Sequence, residues 1–237
     1  MNSLTVKYRF TLPDSREHVF ELQIDRDTAE LTTPAPANPP SWTELGFNQC
    51  VGCPLEASTS RRCPAALHLA GVIDDFLDLV SFDTVRATVE TDERSVSASL
   101  SAQQALSSLI GLIMASSGCP RTAVFRPMAR FHLPFSSDSE TAYRVAAMYL
   151  IAQHFAAREG AAADIGLKDL GRVYRDMHAV NRGMAHRLRA ASRQDAIVNA
   201  IVLLDVYSSL APTAIDEVLE EIKPAFAALL ACAPTKA

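Results

Sequence analysis

Glycine is scarce in this chain, with only 9 among 237 residues. A phosphate-binding loop therefore has little to be built from, and neither a P-loop nor a Gly-x-Gly-x-x-Gly fingerprint occurs. The His-Glu-x-x-His and Gly-x-Ser-x-Gly patterns are also missing, so two common hydrolase signatures are excluded. No apolar run approaches the roughly 18 residues of a membrane-spanning helix. The opening stretch, Met1 to Lys7, lacks the basic-then-apolar shape of a signal peptide. The expectation is a cytoplasmic protein with no membrane partner. In that compartment disulfides seldom persist, and clustered cysteines more often bind metal or do redox chemistry. There is no internal repeat at a fixed period.

Charge is unevenly spread. Residues 1–100 hold 8 basic and 15 acidic side chains, whereas 121–193 hold 12 basic and 6 acidic ones, all but Lys168 of the basic set being arginine. Such a bias can mark an anion or nucleic-acid surface. The plainer reading is a solvated helix face with local ion pairs.

Leu4, Val6, Tyr8 and Phe10 alternate with polar residues, as do Phe20, Leu22 and Ile24 after a Pro13–Arg16 turn. This period of two predicts a β-hairpin with one wet face. Val85, Ala87, Val89 and then Val96, Ala98, Leu100 predict a second hairpin, and the two together a four-stranded antiparallel sheet. Between the hairpins, four prolines in 32–41 require an extended connector. A helix is expected from Ala65 to Val80, with Leu67, Ala70, Ile73, Phe76, Leu77 and Val80 on its apolar side and Pro64 at or near its first turn.

After Ser101 the pattern is helical. Residues 102–117 are apolar on nearly every face, which predicts a central buried helix ending at Gly118 and Pro120. Ser137 to Glu140 reads as a capping box opening a helix with Val145, Met148, Tyr149, Ala152 and Phe155 as its buried stripe. Helices are further expected over 166–191, 193–210 and 212–231, limited by Pro212 and kinked or split by Pro224. The fold class is thus α+β: a small antiparallel sheet over about 1–100, with the cysteine loop and one helix, packed on a helical array over 101–237 as a single domain.

Four of the five cysteines make the one chemically distinctive pattern. Cys50-x2-Cys53 is followed by Cys63 and, far along the chain, by Cys119, and Cys53, Cys63 and Cys119 each precede a proline. Four thiolates satisfy a zinc ion or an iron–sulfur cluster. Zinc sites usually join two tight pairs, whereas this chain has one pair and two single cysteines. A cluster of the [4Fe-4S] type is wider and can gather single ligands, so it is the leading cofactor, with structural zinc the alternative. A redox-active Cys50–Cys53 dithiol, or thiols packed as small hydrophobes, are the other readings. A Cys-Pro haem ligand is disfavoured, because one haem needs one such cysteine. Cys232 belongs to a helix end.

His132, Arg126 and Arg130 fall in a proline-fenced segment and His68 on the helix after Cys63, so these four are candidate supporting or anion-binding residues. A histidine bonded to loop carbonyls, or lying on a helix surface, is the plainer reading. Asn181, Arg182, Arg187, Asp195 and Asn199 form a polar series that could orient a ligand or simply fix helix register.

The blocks Gly46-Phe47-Asn48-Gln49-Cys50-x2-Cys53-Pro54-Leu55, Cys63-Pro64, Ser117-Gly118-Cys119-Pro120 and Arg126-Pro127-Met128-x-Arg130-Phe131-His132-Leu133-Pro134-Phe135 resemble those of a bacterial domain-of-unknown-function family, over about residues 4–210. That resemblance implies a bacterial cytosolic protein and brings no assigned activity. Cys50-x2-Cys53-Pro54-Leu55 is also similar to the first cysteine pair of iron–sulfur uracil-DNA glycosylases, whose glycine-rich catalytic motif is missing here. The sequence therefore predicts a metal-binding protein with a sensing, electron-transfer or structural role. The second reading is a zinc-stabilised module that binds anions or nucleic acid through its arginines. A protein partner is compatible with either.

Overall fold

The computed structural model describes residues 2–76, 79–191 and 195–232, with the side chains of 74, 191 and 209–214 set aside. Strands β1 (Ser3–Thr11) and β2 (Glu17–Asp25) form the first hairpin, and β3 (Thr84–Thr91) and β4 (Ser95–Ser101) the second. All neighbours are antiparallel, in the order β2-β1-β3-β4. The two hairpins are thus stitched through β1 and β3, with Tyr8 opposite Val89 and Phe10 opposite Ala87. Leu4, Val6, Tyr8 and Phe10 are buried on one face together with Leu22, Ile24, Val85 and Val89.

That face is covered by helices. α1 (Pro64–Ile73) starts with proline at its first position, as expected, but gives way to a 3₁₀ turn, Asp74–Phe76, earlier than the periodicity implied. Of the predicted apolar side, Leu77 lies outside the described residues. α2 (Ala102–Ser116) is buried on almost every face and runs between the sheet and the later helices. α3 (Arg126–Arg130) is a single short turn, and α4 (Asp138–Arg158) opens with the predicted capping box, Ser137 with Glu140.

In α4 the buried residues are Ala142, Val145 and Ala146, and Phe155 is 58% exposed. The stripe expected to reach Phe155 therefore ends early, because the last turns of α4 project beyond the core they pack on. α5 (Leu170–Ala191) and α6 (Asp195–Ile222) pack along each other. α6 runs through Pro212, which was expected to separate two helices. Packing against α2, α4 and α5 outweighs the lost hydrogen bond, a penalty of about 3 kcal/mol in a helix interior. Pro224 does break the helix: a 3₁₀ turn, Lys223–Phe226, leads to the short α7 (Ala227–Ala231), with Cys232 at its end. Among the described residues, no helix is long and apolar enough to cross a membrane.

Candidate metal centre

The cysteine loop is pinched at its base. Leu45 N–H donates to Arg61 O at 3.0 Å and Cys63 N–H to Thr43 O at 2.9 Å, which makes a single antiparallel bridge with Glu44 opposite Arg62. Arg62 reinforces it through Pro40 O at 3.1 Å and through Thr43 Oγ1. Within the loop, Cys53 N–H donates to Cys50 O at 3.1 Å and closes a four-residue turn. Gly52, at the turn's third position, has φ +67°, which a side chain seldom tolerates. The turn is clamped from outside by Arg121, which donates to Val51 O at 3.0 Å and stands 3.7 Å from Asp176 on α5.

Three elements carry the four cysteines: the Cys50–Cys53 turn, the start of α1 and the exit of α2. Cys50 presses on α5, where its Sγ lies 3.8 Å from Val180 O. A Cβ added at Gly183 would come within 2.6 Å of that sulfur and 3.1 Å of Cys50 Cα, so only glycine fits. Cys63 is the residue that caps α1: its carbonyl accepts the first helical bond from Leu67 at 2.9 Å, and the N–H groups of Ala66 and Ala65 favour its thiolate. This is the position at which oxygen side chains normally cap a helix, and anions are stabilised there. Cys119 is buried at the exit of α2, its carbonyl accepting from Thr122 N–H at 3.2 Å and Ala123 N–H at 3.1 Å. Cys63 is likewise buried, whereas Cys50 and Cys53 are half-buried.

The four thiols share one electrostatic neighbourhood. Burial pushes the Cys50 thiol up to about 11, and Cys63, Cys53 and Cys119 all push it the same way, against a smaller opposite pull from Arg187. Burial also raises Cys63, with Cys119 adding to it and the helix N–H groups and Arg187 opposing. A redox dithiol works through a depressed pKa, which is the reverse of what Cys50 shows. As the side chains stand, no three His, Cys, Asp or Glu residues among those described form a group that would hold a metal ion. Closing on one requires the thiols to turn inward, and a single side-chain rotamer step carries a sulfur by about 3 Å.

Arg187 is the residue that organises the surroundings. It is 1% exposed, and it donates to Trp42 O, to Glu44 O at 2.6 Å and to Leu45 O at 3.2 Å, while its guanidinium lies 5.9 Å from the Phe47 ring. It thus grips the chain just ahead of Cys50. Among the described residues it has no carboxylate partner; the acidic groups that act on it are the thiols of Cys63, Cys50 and Cys53. Its sequence signal was its position: Val180, Met184 and Leu188 mark the buried side of α5, and 187 falls on the same side. Gly183 and Arg121 carried no comparable signal.

The other candidates have partners of their own. Arg126 pairs with Glu30, and Arg130 donates to Arg26 O at 3.0 Å and stacks on Phe131. His132 Nε2 meets Tyr8 Oη at 2.5 Å, and the same phenol meets Ser108 Oγ at 2.8 Å. His68 is half-buried on α1, and burial lowers its pKa. Asp195 holds the loop before β3, accepting from Ser81 N–H at 3.1 Å and from Ser81 Oγ at 3.2 Å.

An antiparallel sheet backed by helices defines an α+β protein, in which Cys53, Cys63 and Cys119 lie near enough to Cys50 to act on its thiol electrostatically. A family model described as Domain of unknown function (DUF6901) matches residues 6–227, and the chain belongs to that family. No curated protein and no solved structure matches it.

Proposed function

We propose that Cys50, Cys53, Cys63 and Cys119 bind a metal centre as thiolates, an iron–sulfur cluster in the first place, and that it serves electron transfer or sensing. The observation that carries this is Arg187. A guanidinium stays charged at any ordinary pH, and a buried charge needs an opposite one nearby. Neutral thiols leave it with carbonyl dipoles and the Phe47 ring, and with no opposite charge. Four thiolates on a metal centre keep a net negative charge, which compensates the guanidinium and is compensated by it.

Two features favour a cluster over a single ion. The candidate ligands come from one turn, one helix cap and one helix exit, an arrangement that suits a cluster better than the paired knuckles of a zinc site. The Cys50–Cys53 edge is half-buried, and Val51 between them is 84% exposed, so that edge adjoins solvent and is open to a redox partner. Arg121, Arg126, Arg130 and Arg187 are engaged in holding the fold, which leaves the anion- or nucleic-acid-binding reading with a smaller basic surface than the sequence implied.

The test is anaerobic purification followed by an absorption spectrum and by metal and acid-labile sulfide analysis. Brown protein with iron and sulfide is the expected result. Colourless protein with stoichiometric zinc would move the site to its structural alternative, and protein with neither metal would overturn the proposal.

A further inference from the structure

One cavity lies apart from the thiols. It measures about 330 Å³ and lies among α2, α3, α4, α5 and α6. Its walls are mainly apolar, with Leu112, Phe125, Met128, Val145, Met177 and Leu204 among them. That volume is at the lower end of ordinary small-molecule sites. Gly111, halfway along α2, is part of the lining, and a Cβ there would meet only Leu204, at 3.6 Å. Glycine is a poor residue for a helix interior, and here it leaves the space open.

Asn181, which lines the cavity from α5, is 1% exposed and has an unsatisfied atom. Its Nδ2 donates to Ser208 Oγ at 2.9 Å, and the Ser208 hydroxyl in turn donates to Leu204 O at 2.8 Å. The Ser208 proton is therefore committed, which fixes the orientation of the amide. Asn181 Oδ1 is left buried with no hydrogen-bond partner. An orphaned buried acceptor is costly, and a ligand donor would relieve it.

The charged and titratable groups around the space narrow the ligand further. Arg144 lines it, and its guanidinium repels a cation. Both of its terminal nitrogens are engaged, Nη1 with Leu133 O and Ser136 Oγ and Nη2 with Met128 O and Phe131 O, so no free two-nitrogen fork awaits an anion. His132 is held neutral, pushed down to about 3 by burial and by Arg144.

We propose that this cavity binds a small, uncharged, largely apolar molecule carrying one hydrogen-bond donor, which Asn181 Oδ1 receives. This is independent of the metal reading.

The probes are 2-naphthol and 2-methylnaphthalene, similar in size, of which only the first carries a donor. Binding is measured by calorimetry on the full chain as purified anaerobically. Wild-type protein binds 2-naphthol, and the ratio of its affinity to that of 2-methylnaphthalene falls about tenfold in Asn181→Leu. Gly111→Leu, which fills the cavity from α2 and leaves the amide alone, abolishes binding of both. Failure of the wild type to bind 2-naphthol up to its solubility limit overturns the proposal, and so does an unchanged ratio in Asn181→Leu. Should Asn181→Leu not fold, unaltered 2-naphthol binding by folded Gly111→Leu overturns it, and loss of that binding supports it.

Discussion

The thiol end of the molecule and its outer helical end are built to different standards. At the thiol end, β1, β3, α1, α2 and α5 share one continuous core, and Arg187 is locked onto three carbonyls inside it. At the outer end, α4, α5 and α6 share a small satellite cluster of Ala142, Val145, Leu170, Tyr174 and Ile215, while Ile151, Phe155, Leu229 and Leu230 remain exposed. Close tolerances thus surround the cysteines, and the outer helices are loosely covered. A fold that buries a charge must hold its compensating groups in place, and the tight end is where that demand falls.

The sharpest way to break the comparison is to remove a ligand. Cys119→Ala and Cys63→Ser each lower the metal bound per chain by about tenfold or more, because ligand loss and folding are coupled. Cys232→Ser, at the exposed end of α7, leaves it unchanged, and metal analysis reads both. Arg187→Met comes next: three carbonyls lose their donor, and the chain loses about 3–5 kcal/mol in urea unfolding. Arg158→Met, on the exposed end of α4, stays within about 0.5 kcal/mol.

Gly183→Ala drives a methyl into Cys50 and costs about 1–3 kcal/mol, with weaker metal retention at the same pH. Proton linkage distinguishes the metal-free from the loaded chain. In the metal-free form the Cys50 thiol is raised from its ordinary 9.0 to about 11, so the unfolded chain ionises first. Stability is then full below pH 9 and falls as pH rises towards 11, by on the order of 1–2 kcal/mol for this half-buried group. The loaded form, already thiolate, lacks that fall, and Cys50→Ser lessens it in the metal-free form, leaving the part that the raised Cys63 thiol contributes. The smallest effect is at the outer end: Phe155→Ser shifts stability by no more than about 0.5 kcal/mol.

What was legible in the sequence was local. Alternation in β1 to β4, Pro64 at a helix start and the Ser137–Glu140 box each concern neighbours along the chain, and each is found in the structure. The β1–β3 pairing, the passage of α6 through Pro212 and the exposure of Phe155 depend on what packs alongside, which periodicity does not encode. The cysteines of the candidate site stood out by residue type. Arg187 was read as one member of a polar series; its helical spacing put it on the buried side of α5, but its role arises from a loop 142 residues away.

The most direct measurement is the X-ray absorption spectrum at the metal edge of the anaerobically purified chain, beside that of Cys119→Ala. The account predicts a first shell of sulfur alone in the wild type, with metal–metal scattering if a cluster is present, and loss of that signal in the variant. A shell containing nitrogen or oxygen ligands, or one identical in Cys119→Ala, would contradict it.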